Sequence, residues 1–273
     1  MNQLIDTHCH VTHMINKIED TPFTQHELVT IQAHITRAAE YGVTRIIEVG
    51  TTARDSAQAL ALAQQFDAIF PVVGIHPHEA QRDYHNQLSA LKKLVARHHE
   101  QIVGIGECGL DKHYPDYRIA AQIGLFKAQI ELALEYDKAL VVHTRDAQDE
   151  TYRVLHEYKD YLKRATIHCY SNDRAFAHEL TSWGWFLGIG GTITYPKNEY
   201  LREMVKSVGI ESVVLETDAP FLPPQSMRGK MNGPEQIRTI AEYIAKLIEC
   251  EVSQVARVTT RNAQNLFRLQ DTL

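Results

Sequence analysis

The chain has 273 residues, 44% apolar and 23% charged, and this length suits one closed α/β barrel of a soluble globular protein. Its formal charge of -6 argues against a broad basic face that neutralises many phosphates. With no apolar run near 18 residues, no basic-then-apolar leader and four cysteines lacking CxxC spacing, a cytoplasmic protein with reduced thiols is expected, neither secreted nor membrane-spanning.

The first strand is expected at 3–8 (QLIDTH), in the stretch that continues through Cys9 to His10. Alternation places Asp6, His8 and His10 on one face and Thr7 and Cys9 on the other. Two imidazoles on one face can grip a metal ion, but among 15 histidines a chance pair is an equal explanation at this point. A helical pattern follows near 27–41, then a strand at 44–50 (TRIIEVG) and a helix near 54–66. The strand at 70–75 (FPVVGI) leads into His76-Pro77-His78, and a helix is expected near 86–100.

The fourth strand, 102–107, ends in Glu107, and the helix near 117–137 carries the stripe Ile123, Phe126, Ile130 and Leu134. Strands at 139–143 and 165–169 bring His143 and His168, with helices near 147–162 and 173–183. The last two strands, 185–190 and 213–218, flank a helix near 198–208, and two helices near 234–249 and 252–268 close the chain.

Eight β-branched strands with a helix after each give a (β/α)8 TIM barrel, and no linker divides residues 1–273, so one domain is expected. An open doubly wound sheet is the alternative, but no Gly-rich phosphate loop follows the first strand.

In a parallel barrel the functional groups sit at the carboxyl ends of the strands. His8, His10, Glu107, His143, His168 and Asp218 all fall there. Imidazole and carboxylate suit Zn, Mn, Fe or Co, whereas Mg prefers more oxygen donors. The strand-one pair can hold one ion and His143 with His168 another, with Glu107 bridging and Asp218 both ligating and orienting a metal-bound hydroxide. The alternative is a buried polar network without metal.

The stretches "IDTHCH", "GIHPH", "GECGLD", "VVHTRDA", "IHCYS", "ETDAPFLPP", "RGKMNGP" and "TTRNAQNLF" occur in an order that resembles the TatD family of metal-dependent deoxyribonucleases, amidohydrolase-like barrels. The resemblance implies that the same six residues ligate two divalent ions (Zn, Mn or Mg). It also implies phosphodiester hydrolysis on DNA, of 3'-to-5' exonuclease type. Departures fall at Lys112, at Tyr170-Ser171-Asn172 and in "GIGGTITYPKN", all expected near substrate.

Asp6 and Glu216 each precede a ligand by two residues and are expected inside the barrel, orienting imidazoles or water; a structural hydrogen bond is the alternative. Cys9, Cys108 and Cys169 are expected to turn toward the helix layer and pack as small apolar groups. His76, His78, Arg145 and Arg228 are candidates for binding substrate phosphate, against structural or surface roles. Tyr114 and Tyr195 could stack a base.

Three functions compete. The first is a two-metal nuclease acting on DNA or oligonucleotide ends, a monomer or weak oligomer with no obligate protein partner. The second is an amide, ester or lactone hydrolase, including an aminoacyl-ester deacylase. The third is a metal-binding scaffold without activity. Glu107 stands where many amide hydrolases of this barrel type carry a modified lysine, which favours the nuclease.

Overall fold

In chain order, the strands of the computed structural model are β1 (Leu4–Cys9), β2 (Val43–Val49), β3 (Ile69–Val73), β4 (Gly104–Asp111), β5 (Ala139–Arg145), β6 (Ala165–Ile167), β7 (Phe186–Ile189) and β8 (Val213–Leu215). The helices are α1 (Val11–Met14), α2 (Gln25–Glu40), α3 (Ala53–Ala63), α4 (His85–His98), α5 (Ile119–Glu135), α6 (Gln148–Tyr158), α7 (Arg174–Ser182), α8 (Glu199–Val208), α9 (Ile237–Leu247) and α10 (Val252–Phe267). The structure describes residues 3–17, 21–81 and 84–270. All neighbouring strands pair in parallel in the order β1 to β8, the TIM-barrel arrangement expected from sequence.

Local chemistry starts the helices where the strands hand over. Thr24 and Glu27 form a reciprocal capping box on α2, and the side chains of Thr52 and Asp173 accept the backbone N–H groups of Asp55 and Phe176. The main core lies between strands and helices, with Ile31, Leu62, Phe126, Leu180 and Ile240 packed against the sheet. A second cluster joins Ile5, Val72, Val141 and Val214 to Leu266 and Phe267 of α10. That helix does not continue the strand–helix alternation. It crosses under the strand starts, where the Asn262 amide donates to the carbonyls of Ile210 and Val213 and the Thr260 hydroxyl donates to Gln3. The opposite end of the barrel is left for the βα loops.

The seam between β1 and β8 is closed by individual bonds more than by a ladder. The Asp218 N–H donates to the His8 carbonyl at 2.9 Å and the His10 N–H to the Ala219 carbonyl at 2.8 Å. Asp6 accepts the Thr217 N–H at 2.9 Å and also the Thr217 hydroxyl. Among the described residues no helix is long and apolar enough to cross a membrane.

Candidate active site

The β1–β2 register shifts between Asp6 and Cys9, so strict alternation does not hold through the first strand. His8 and His10 reach the cavity end with their Nε2 atoms 3.2 Å apart, whereas Asp6 turns into the seam. Its partners there are the backbone N–H groups of His8 and Thr217 and the Thr217 hydroxyl, so it braces main chain and orients no imidazole. His10 Nδ1 donates to the Val49 carbonyl at 2.8 Å, an oxygen that can only accept. That bond turns Nε2 inward.

Glu107 lies between two pairs of histidines. Its Oε2 is 3.5 Å from His8 Nε2 and 4.0 Å from His10 Nε2. Its Oε1 is 2.6 Å from His143 Nδ1 and 2.9 Å from His168 Nε2. Asp218 completes the first group, with Oδ1 3.3 Å from His10 Nε2 and 3.8 Å from His8 Nε2. Its backbone is in the left-handed region, φ 56°, uncommon for a side chain other than glycine. β6 ends at Ile167, so His168 stands just beyond the strand, with its ring stacked 3.9 Å from that of His8.

Two glycines make these approaches possible. A Cβ at Gly109, where φ is 147°, would collide with the His143 carbonyl, so β4 could not lie this close to β5. A Cβ at Gly188 would strike the Glu216 carboxylate and crowd His168. Glu216 uses that space to accept the Cys169 N–H, and its Oε1 comes within 3.5 Å of His168 Nδ1.

Charge is divided sharply. Burial works against ionised Glu107, but His168, His76 and His143 hold its carboxyl well below the usual range. Burial likewise disfavours charged His168, yet Glu107 and Glu216 hold it well above the ordinary histidine value. His10, also opposed by burial, is raised to about 9 by Asp218. His76 goes the other way, pushed down to about 3 by burial and by His143.

The donor set fits divalent ions. A tetrahedral ion with bonds of about 2.1 Å has donors roughly 3.4 Å apart. His8 Nε2 and His10 Nε2 are 3.2 Å apart, and each lies 3.3–4.0 Å from Glu107 Oε2 and from Asp218 Oδ1. His8, His10 and Glu107 form one candidate ion-holding group, and His76, Glu107 and His143 another.

A cavity of about 420 Å³ opens over these groups, bordered by His13, Thr51, His76, His78 and Phe221. A neighbouring one of about 310 Å³ runs past Thr144, Arg145, Cys169 and Leu222. Arg145 stays at the exposed rim with its guanidinium 5.9 Å from the Tyr114 ring centroid, and Arg228 lies similarly over Tyr195 at 4.9 Å.

Three further sequence expectations are corrected by the geometry. Cys9 and Cys108 pack in the core as expected, but Cys169 borders the cavity, because β6 has ended and its φ is 45°. Tyr170 is not at the substrate face: it is buried, with its hydroxyl donating to the Asp173 carbonyl. β4 runs on past Glu107 to Asp111, a buried carboxylate the sequence reading missed. Its Oδ2 lies 3.0 Å from His143 Nε2 and 3.1 Å from His78 Nε2. "GECGLD" held the signal, because Glu107 and Asp111 share parity along a strand.

A parallel barrel that gathers imidazoles and carboxylates at the carboxyl ends of its strands is the frame of a metal-dependent hydrolase, and this chain is one. It belongs to the family described as TatD related DNase, whose model matches residues 5–268. It is 32% identical over 266 residues to the uncharacterized metal-dependent hydrolase YabD of Bacillus subtilis, covering 97% of this chain and 99% of that one. It is 34% identical over 241 residues to the 3'-5' ssDNA/RNA exonuclease TatD of Erwinia tasmaniensis, covering 86% and 92%. The crystal structure of YjjV, a TatD homologue from Escherichia coli, superposes with a TM-score of 0.88 at 29% identity, covering 98% and 99%.

Proposed function

We propose that the chain is a two-metal phosphodiesterase that shortens DNA strands from the 3' end. One observation carries the reading: Glu107 turns one oxygen to the His8–His10 pair and the other to His143 and His168. The name of the Erwinia relative supports a nucleic-acid substrate. His8, His10 and Asp218 would hold one ion and His143 and His168 the other, with Glu107 shared. Such a pair acidifies water and offsets charge on phosphoryl oxygens.

Asp218 orients the attacking water and accepts its proton. Burial opposes its charge, but His10, His168 and His8 hold its carboxyl below the usual range, so it is ionised at neutral pH. Glu216 steadies His168 from behind. Arg145 and Arg228 receive phosphates on the rim, where guanidinium can pair bidentately. An acidic protein can act on DNA in this way because attraction is concentrated at the ion site. The four free cysteines support a cytoplasmic setting. The working form is a monomer or weak oligomer without an obligate protein partner.

A 5'-labelled single-stranded oligonucleotide, incubated with the protein and Mn²⁺, Mg²⁺ or Zn²⁺, should shorten stepwise from its 3' end, and chelation should stop it. An intact oligonucleotide with every ion, alongside turnover of an ester or amide, would overturn the reading.

A further inference from the structure

We propose that His76, His78 and Asp111 form a third divalent-cation site beside the two ions that Glu107 would share, with His76 standing between it and the group of Glu107 and His143. Each of the three offers one ligand atom, and these atoms lie within 4.8 Å of one another. His76 directly precedes the 3-10 turn Pro77–Gln81 after β3, His78 lies within it, and Asp111 is the last residue of β4.

Asp111 is held firmly for this role. Its backbone N–H donates to the Gln122 side-chain oxygen at 2.8 Å, and the Gln122 amide returns a bond to the Asp111 carbonyl at 2.8 Å. Oδ1 accepts the His113 N–H at 2.8 Å, which leaves Oδ2 to face the histidines. The nearby Lys112 ammonium is paired elsewhere, with Glu150 at 2.8 Å. A buried carboxylate needs compensating positive charge.

Two simpler roles account for less. Asp111 could serve only to orient His143, whose Nε2 is 3.0 Å away. That leaves His78 unexplained: its Nε2 is shielded from solvent and 3.1 Å from the same oxygen, yet makes no hydrogen bond. A nitrogen and an oxygen this close but out of line for a shared proton are disposed to meet at a third atom. The other role is direct contact of His76 and His78 with substrate phosphate. An anion there would face the Asp111 carboxylate, whereas a cation satisfies it. Two imidazoles and one carboxylate select Zn²⁺, Mn²⁺ or a similar ion and leave coordination positions open to solvent.

The test is a count of ions. Protein stripped with chelator and titrated with MnCl₂ should bind three equivalents per chain, and crystals grown with MnCl₂ should show an anomalous peak among these side chains. His78→Ala and the isosteric Asp111→Asn should each bind two equivalents, with circular dichroism confirming the fold. Saturation of the wild type at two equivalents, or three in both variants, would overturn the proposal. The count is independent of DNA cleavage, so three bound ions beside an intact oligonucleotide would defeat the phosphodiesterase reading and leave this one standing.

Discussion

Asp6 and Thr217 are joined across the barrel seam: Oδ1 of Asp6 accepts the Thr217 N–H at 2.9 Å and Oδ2 accepts its hydroxyl, 211 residues along the chain. Asp6→Ala leaves both donors buried without a partner, at a cost of about 3 kcal/mol. Urea unfolding should register that loss, and the Mn²⁺ affinity of the purified variant should fall because His8 and Asp218 flank the same seam. An unchanged unfolding midpoint would show that the brace is dispensable.

Glu107→Gln keeps the shape of the shared side chain and removes its charge. The expected outcome is loss of the paired ions and a fall in oligonucleotide hydrolysis of roughly 10³-fold, the scale of losing one main electrostatic group. Elemental analysis and a timed cleavage assay check both together.

His10 makes ion binding depend on pH. Its proton is held to about 9 in the ion-free protein, against an ordinary value of 6.5. A base raised in this way stabilises the folded chain fully below the lower value, and the contribution disappears as pH climbs through the upper one. An incoming Mn²⁺ must displace that proton. Affinity should therefore rise across this window, with protons released to the buffer. Calorimetry in two buffers of different ionisation enthalpy measures the release, and identical heats would contradict it.

Glu48 provides a second pH effect, of opposite chemical origin. Its buried carboxylate accepts the N–H groups of Val11 and Thr12 at 2.6 and 3.1 Å, and burial pushes it up from 4.5 to about 7. The folded chain binds more protons here than the unfolded one, so stability from this residue declines as pH rises between those values. The decline is about 3 kcal/mol. Wild type measured against Glu48→Gln in urea should lose that amount across the interval; a constant difference would refute the assignment.

Arg145→Ala and Arg228→Ala should each raise KM for an oligonucleotide about tenfold with little change in kcat, equivalent to about 1.4 kcal/mol of lost phosphate contact. Binding should respond only weakly to salt, since few phosphates are neutralised. A steep salt slope would place substrate on a wider basic surface.

The barrel was legible because β-branched runs and amphipathic stretches alternate from end to end, and polar residues at strand ends pointed to the cavity. Two of the failures share a cause: alternation holds only while the chain stays in the ladder. Asp6 was misdirected by the register shift in β1, and Cys169 by the end of β6 at Ile167. Asp111 was lost because β4 outlasts its apolar run, ending in Gly-Leu-Asp instead of at Glu107. One-turn α1 is too short for periodicity to reveal, and the Glu48 carboxylate that accepts its first N–H groups sits in a strand far away in sequence.

The pocket straddles the barrel's last closure, with His8 and His10 on one lip and Asp218 on the other. In synthesis, His8 and His10 are made about two hundred residues before the carboxylate that faces them. Under the proposed ligand set, a product truncated before Asp218 lacks one lip of the pocket, so the order of synthesis would itself keep it from holding that ion.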